Sequence, residues 1–451
     1  MGSSRHALEI LVLSLVLCTC GGSDEETTAY VGAGLWDGTG SPMLLDAVVV
    51  VTNGVITAVG PPDLVEVPRG AREVRLDGRW IIPGLIDAHT HAERWTLPLY
   101  LSYGVTSIRD LGGDQDSLVQ LRDDVESGAA DGPRMYISGA AIDGAPASLR
   151  EETAVASASE GRRAVGNRVL IDATQISVST KITRGVLAAI LQEASALQTP
   201  VAARLGRIDA VTAATAGVAS IELLSGVAEA TLRSPQPVFA AYDDSRRGRI
   251  ATMRAWDQLD SAALQRTAQQ LVEAGVSIVP GLLANETFAH LDDASYLAAL
   301  DLSGVPPPIR AAWTSESLVR DARAAGADFG SFRRARSKQD LFVRRFRAEG
   351  GWVAAGSGSP RPPLAPGASL HGELALLVAA GLSPKDALLA ATRNAARMMG
   401  TDSIGVLRPG AVADFVVLTA DPFADIMNVA QVMFVVSRGV HYDPANLRST
   451  P

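Results

Sequence analysis

The sequence has few of the residues that support disulfide, nucleic-acid or nucleotide chemistry. Its only two cysteines, Cys18 and Cys20, lie within the first 20 of 451 residues, so no internal disulfide is expected in the rest of the chain. The formal charge of −9 is spread without a basic block, which argues against nucleic-acid binding. No glycine-rich dinucleotide or phosphate loop is present. Apolar residues instead make up 47% of the chain, enough for a large core of strands and helices.

The first 20 residues have the features of a targeting segment. Arg5 and His6 precede the apolar run 10–17 (ILVLSLVL), which is too short to span a bilayer as a helix of the mature protein. Cys20 lies three residues after this run and before a polar stretch, and so resembles the lipidated cysteine of a bacterial lipoprotein. We therefore expect a cell-envelope lipoprotein, periplasmic or in the outer membrane, anchored at Cys20 with residues 21–28 as a tether. Cys18 is the alternative anchor, and an ordinary secretory signal is the competing interpretation.

The body of the chain has a β-rich segment at each end and an alternating middle. Short strand-like runs in residues 29–80 and 402–446 predict one composite β-sandwich domain. Between them, residues 81–401 alternate apolar runs with helical stretches. The predicted strands are 81–86, 105–109, 134–138, 169–176, 201–203, 220–223, 277–279 and 353–355. Eight such units favour an α/β fold of the closed (β/α)₈ TIM-barrel type, with an open doubly wound sheet as the alternative.

A His-X-His pair ends the first predicted barrel strand. On a strand, residues two apart face the same side, so His89 and His91 are expected to point together into the barrel mouth. Two convergent imidazoles suit a divalent metal such as zinc. The pair alone is a weak signal, and its meaning depends on the surrounding sequence.

That surrounding sequence resembles the amidohydrolase superfamily, in its imidazolonepropionase- and prolidase-like branch. Residues 82–91 (IPGLIDAHTH) resemble the first barrel strand of the superfamily. In order along the chain, segments similar to its second and third strands, last helix and return to the sandwich follow at 103–110, 132–139, 384–396 and 405–415. The resemblance implies metal-dependent hydrolysis of C–N bonds in amides, cyclic amides or peptides. It also implies metal ligands on strands one, four, five, six and eight, with the strand-eight aspartate as the proton acceptor.

Beyond the two histidines, the implied ligand positions do not hold the expected residues. We assign the strand-four lysine position to Asp172, the strand-five histidine to Arg204, the strand-six histidine to Leu223 and the strand-eight aspartate to Gly358. Leucine has no lone pair to donate, and arginine is a permanent cation that would repel a metal. A pair of histidines also falls short of the three or four protein ligands that zinc usually has.

Two hypotheses follow, one without catalysis and one with it. In the first, the chain is a pseudoenzyme with no metal or a weakly bound one, and binds a small amide or peptide-like ligand. Arg204 would then fill the metal volume and pair with Asp172 or Glu222. In the second, His89 and His91 hold one divalent metal in an altered hydrolase site.

The second hypothesis needs further ligands, and Glu93, Asp110 and Asp172 are the candidates. A purely structural or adhesion module is a weaker third interpretation, because the sequence has no repeats. Residues 360–363 (PRPP) predict a rigid loop at the barrel mouth, which either narrows a pocket or only ends strand eight.

Overall fold

The computed structural model describes residues 26–313 and 315–448. The predicted signal segment, Cys18 and Cys20 therefore lie outside the described residues. The first strand begins at Thr27, inside the segment predicted as a tether. In the part of the chain that is described, no helix combines the length and apolarity needed to cross a membrane.

Seventeen strands and eighteen α-helices are described. The strands are, in chain order, β1 (Thr27–Leu35), β2 (Leu44–Thr52), β3 (Val55–Gly60), β4 (Arg72–Arg75), β5 (Trp80–Pro83), β6 (Leu85–Thr90), β7 (Val105–Asp110), β8 (Arg134–Ile137), β9 (Ile142–Gly144), β10 (Thr153–Val155), β11 (Ile176–Val178), β12 (Val201–Ala203), β13 (Ser220–Glu222), β14 (Ser277–Val279), β15 (Phe415–Leu418), β16 (Val432–Ser437) and β17 (Val440–Tyr442). The helices are α1 (Leu97–Ser102), α2 (Gln115–Ser127), α3 (Ala158–Val169), α4 (Arg184–Ala196), α5 (Ala210–Thr215), α6 (Val227–Thr231), α7 (Gln236–Ala241), α8 (Ser245–Asp257), α9 (Ser261–Glu273), α10 (Leu282–Ala289), α11 (Ala294–Ala298), α12 (Pro307–Ala312), α13 (Ser315–Ala324), α14 (Phe329–Ala348), α15 (Ala368–Ala379), α16 (Pro384–Ala390), α17 (Arg393–Met398) and α18 (Pro444–Arg448). Two short 3₁₀ turns span Arg94–Thr96 and Ile426–Ala430.

Strands from both ends of the chain form one eight-stranded sheet. Its order is β17-β16-β15-β5-β1-β2-β3, and β4 pairs with β1 in parallel. Side chains alternate between its faces, as the period of two requires. Tyr30 packs edge-on against Phe415, with ring centroids 4.9 Å apart, while the neighbouring Ala29 lies in a separate cluster with Val48 and Val50. Both faces are thus buried, and the two chain termini are held in one β-rich unit.

The middle of the chain has the parallel strands expected of a TIM-type fold. They form two ladders, β6-β7-β8 and β10-β9-β11-β12-β13-β14, rather than one continuous closed sheet among the described strands. Residues 352–355 bridge the gap between β14 and β6. Ile278 N donates to Trp352 O at 3.0 Å, and Ala88 N donates to Ala355 O at 2.9 Å. The predicted α/β class with a β-rich terminal unit is confirmed, and the eighth predicted strand is reduced to a single bridge at Val353.

The predicted strand at 169–176 is wrong. Those residues end helix α3 and form the turn after it, and the strand at this place is β11, Ile176–Val178. Ser157 caps α3 by accepting from Glu160 N, so the Ser-x-x-Glu signal marked a helix start. The apolar run that suggested a strand includes Leu170, which is 82% exposed. Asp172 consequently lies in an exposed turn, with φ +55°, before the strand rather than within it.

Candidate functional site

A cavity of about 720 Å³ opens where the parallel strands end. His89 and His91 line it from β6 and its C-terminal end, Ser177 from β11, Arg204 from the end of β12, and Glu222 from β13. The carboxyl ends of barrel strands are where ligands bind in this kind of fold, and the volume lies within the usual range for a small-molecule site.

His89 belongs to a buried network that crosses the barrel interior. Its Nδ1 lies 2.8 Å from Glu222 Oε2, and Arg109 Nη1 donates to Glu222 Oε1 at 2.9 Å. Ser220 Oγ donates to the same Oε1 at 2.6 Å and accepts from Arg109 Nη2 at 3.0 Å. Arg109 and Glu222 are only 2% and 1% exposed. Because a carboxylate only accepts hydrogen bonds, His89 must carry its proton on Nδ1.

The charge state of this network follows from its surroundings. Burial alone would raise the pKa of Glu222, but Arg109, His89 and Ser220 together lower that pKa to about 2. Burial also lowers the pKa of His89, although Glu222 partly opposes it. Near neutral pH the network is therefore an ionised Glu222–Arg109 pair with a neutral His89.

His91 is engaged at both ring nitrogens. Its Nδ1 lies 2.7 Å from the carbonyl oxygen of Gly112, so this nitrogen carries the proton and donates. Its Nε2 then has the lone pair and accepts from Arg361 Nη2 at 3.2 Å. Burial and the charge of Arg361 lower the pKa of His91 well below its usual value. The lone pair that could bind a metal is thus hydrogen-bonded to a guanidinium group.

Comparisons with known proteins find similarity to amidohydrolases. A sequence model of the amidohydrolase family matches residues 348–440. Bottromycin amidohydrolase is similar in structure, with 24% identity, a TM-score of 0.72 and coverage of 94% of this chain and 88% of that one. The chain is thus similar to amidohydrolases in part of its sequence and in its fold. A Xaa-Pro dipeptidase with methionine bound in its active site has 18% identity and a TM-score of 0.67, over 92% of this chain and all of that one.

A further similar structure is a prolidase complexed with N-methylphosphonate-L-proline. It has 22% identity and a TM-score of 0.66, and the match covers 92% of this chain and 99% of that chain. No curated protein sequence matches. The likeness to solved structures establishes the fold, and the site must be interpreted from its own residues.

The residues present do not fit the metal centre that the similarity to amidohydrolases would imply. No three His, Cys, Asp or Glu side chains converge as a metal-binding group in the described ranges 26–313 and 315–448. Arg361 donates a hydrogen bond to the Nε2 lone pair of His91, and Arg109 forms an ion pair with Glu222. Of the four ring nitrogens of His89 and His91, only His89 Nε2 has no bonded partner among the described residues. One nitrogen beside two guanidinium groups is a poor site for a divalent cation.

Two of the implied ligand positions are corrected or explained by the structure. Asp172 is exposed and outside the cavity, which Ser177 and Val178 of the fourth strand line instead, with Ser179 just after it. The expected pairing of Arg204 with Asp172 or Glu222 is wrong. Arg204 Nη2 instead donates to Ser179 Oγ at 2.9 Å and lies 3.5 Å from Glu152 Oε1. The cause is the shifted fourth strand, which brings Ser179 rather than Asp172 to the mouth.

At the other candidate positions, the side chain either cannot bind a metal or is already hydrogen-bonded within the protein. Leu223 follows β13 at φ +56°, and its amide donates to Val279 O at 2.7 Å. Gly358 has φ +73°, and its amide donates to His89 O at 2.8 Å. Asp110 is fully buried, and its carboxylate accepts from the amides of Ala92 and Gly112. Burial raises the pKa of Asp110 to about 7, and this carboxyl shapes the loop after β6.

The residues that define the site most clearly were not predicted. Arg109 follows Ile108 in β7, where every residue is buried, and a charged residue in a buried strand needs a partner, which was a usable signal. Arg361 lies in the loop predicted at 360–363, and its place in the cavity lining shows that this loop narrows the pocket.

Proposed function

We propose that this protein binds a small amide or peptide-like ligand in the barrel cavity and has lost the metal-dependent hydrolysis of its superfamily. The observation that carries the proposal is the engagement of the lone pair of His91 by Arg361. A cation bound there would have to displace a guanidinium group and would then lie beside it. A ligand without a metal requirement avoids that repulsion.

The size of the cavity and the nature of similar proteins support ligand binding. A volume of about 720 Å³ accommodates a molecule of dipeptide size. Two structurally similar proteins hold methionine and a phosphonate derivative of proline. Each of these is a small molecule related to amino acids, and this class is our choice for the ligand.

A second candidate function is a hydrolase with one metal held by His89. Glu222 holds Nδ1 of this histidine, as carboxylates often orient metal-binding imidazoles, and leaves Nε2 for a ligand bond. This alternative would require further ligands from solvent or substrate, since His91 does not offer one.

Metal analysis separates the two candidates. We expect the purified protein to hold far less than one equivalent of zinc, iron or manganese per chain, and its melting temperature not to rise with added zinc. Near-stoichiometric metal that disappears in a His89→Ala variant would contradict the proposal and support the second candidate.

We also propose that the protein is a lipid-anchored protein of the bacterial cell envelope, as the first 20 residues indicate. If so, Cys20→Ala should release the protein from the membrane fraction, while Cys18→Ala should leave it there. Mass spectrometry of the mature N-terminus measures the acyl groups directly. If only Cys18→Ala releases the protein from the membrane fraction, Cys18 is the lipidated residue. A wild-type protein found in the soluble fraction would refute lipid anchoring.

A further inference from the structure

We infer that the cavity binds the negatively charged group of its ligand, a carboxylate or a phosphate, between Arg361 and Arg204. This inference rests on the proposed ligand-binding function and makes the ligand class specific. The anion would lie at the barrel mouth, near the ends of strands five and eight. Amidohydrolases have metal ligands at these positions.

Most N–H groups of the Arg361 side chain have no hydrogen-bond partner among the described residues. Its only hydrogen bond among the described residues goes from Nη2 to His91 Nε2, which is neutral. No carboxylate in the described ranges lies within 4.0 Å of its guanidinium group. The other N–H groups of Arg361 can therefore donate into the cavity that this side chain lines.

Two more arginines lie close enough to repel Arg361. Burial, Arg204 and Arg249 lower its pKa to about 10, although Glu152 and Glu151 partly oppose this. Arg249 is held over the ring of Phe288, 4.0 Å from the centroid, and donates to a backbone carbonyl. In the described part of the chain, the only carboxylate contact of these three guanidinium groups is the 3.5 Å contact between Arg204 and Glu152.

Buried arginines elsewhere in the described residues have close ion-pair or hydrogen-bond partners. Arg109 lies 2.9 Å from Glu222, and Arg336 lies 2.8 Å from Glu286 and 2.6 Å from Asp340. Arg168 has no carboxylate partner and instead donates to Ala140 O, Gln115 Oε1 and Thr153 Oγ1. Arg361 differs from all three, because its side chain makes a single hydrogen bond and no ion pair among the described residues.

Most of the other charged groups around the cavity are already engaged. Arg94 pairs with Asp124, and Glu93 accepts from Trp95 Nε1 at 2.9 Å. Asp114 caps helix α2 by accepting from Ser117. Glu151 lines the cavity from an exposed position and makes no ion pair in the described ranges.

Glu152 and the exposed Glu151 are the carboxylates nearest to these arginines, and both raise the pKa of Arg361 from beyond 4.0 Å. Glu152 accepts from the amide of Leu149 at 2.8 Å and makes its ion pair with Arg204, so neither carboxylate forms an ion pair with Arg361. An anionic ligand group would supply the missing charge. Planar guanidinium groups match carboxylates and phosphates because both accept two parallel hydrogen bonds.

The test compares an acid with its uncharged amide. Calorimetric titration of the mature protein would use N-acetyl-L-leucine, N-acetyl-L-leucinamide and inorganic phosphate. We expect the acid, phosphate or both to bind, and the amide to bind at least about tenfold more weakly than the acid if the acid binds. Binding of the acid alone assigns the carboxylate, and binding of phosphate alone assigns the phosphate.

Variants connect this binding to the arginines. Arg361→Gln should weaken anion binding at least about tenfold. Arg361→Lys keeps the positive charge but loses the paired N–H donors of the guanidinium group, so its affinity should lie between those of Arg361→Gln and the wild type. Arg69→Gln, in an exposed position far from the cavity lining, is the matched control and should change nothing. Circular dichroism would establish that each variant is folded.

Two results would overturn the inference. One is equal binding of acid and amide, which leaves the proposed ligand-binding function standing. The other is anion binding that Arg361→Gln and Arg361→Lys do not alter. Failure of the proposed function is distinguishable, because it would appear as stoichiometric metal and not as a change in anion selectivity.

Discussion

Arg109→Ala is expected to destabilise the protein by about 3–5 kcal/mol, the range for breaking a buried ion pair by removing one partner. The loss comes mainly from Glu222, which would keep a buried negative charge with no cation beside it. Arg109 also donates to Ser220 Oγ, so the hydroxyl loses a partner as well. The free energy of unfolding in urea, with Arg109→Ala and the wild type under the same conditions, measures the effect.

The control for this prediction is an ion pair of the same kind on the surface. Arg75 and Asp77 lie 3.9 Å apart with side chains 75% and 73% exposed, so Arg75→Ala should cost less than about 1 kcal/mol. The double variant Arg109→Met/Glu222→Gln should recover part of the loss, since no charge is left unpaired. An Arg109→Ala variant as stable as Arg75→Ala would contradict the network described for the barrel interior.

Buried carboxyl groups are expected to make the protein less stable as the pH rises from about 4.5 to 7. Burial raises the pKa of both Glu229 and Glu373 to about 7, so the folded state binds protons that the unfolded state has already released. The stabilisation that comes from protonating these two carboxyl groups is complete below their pKa in the unfolded state. It is lost as the pH rises through 7. Each group can account for up to about 1.4 kcal/mol per pH unit in this window.

A single variant isolates the effect from opposing histidine titrations. Glu373 Oε2 accepts from Leu283 N at 2.7 Å, and its other oxygen is buried without a partner among the described residues. Glu373→Gln removes the ionisation. The free energy of unfolding of this variant should therefore increase progressively, relative to that of the wild type, from pH 5 to 7. Glu126→Gln, at an exposed position of helix α2, should show no such trend. A constant difference for Glu373→Gln across this range would refute the assignment.

Much of the fold was predictable because local patterns decide it. The predicted strands at 201–203 and 277–279 match β12 and β14. Short apolar runs between helices leave few alternatives there. The run at 169–171 failed because three apolar residues at the end of an amphipathic helix look like a strand.

The site was harder to predict because its contacts join distant residues. Arg109 and Glu222 are 113 positions apart, and Arg361 and His91 are 270 apart. The sequence could only predict that the expected ligand types are absent from the assigned positions. Which guanidinium group would engage each histidine depends on side-chain geometry that no local pattern contains.

The most direct test of this account is a zinc titration followed by NMR at the ring nitrogens of the six histidines. With ¹⁵N-labelled histidine, we expect His91 to show a protonated Nδ1 and an Nε2 signal that one equivalent of zinc does not move. His91→Gln would assign the signal. Joint shifts of the His89 and His91 rings at stoichiometric zinc would show that the metal displaces Arg361, and would contradict the claim that guanidinium groups have replaced the metal.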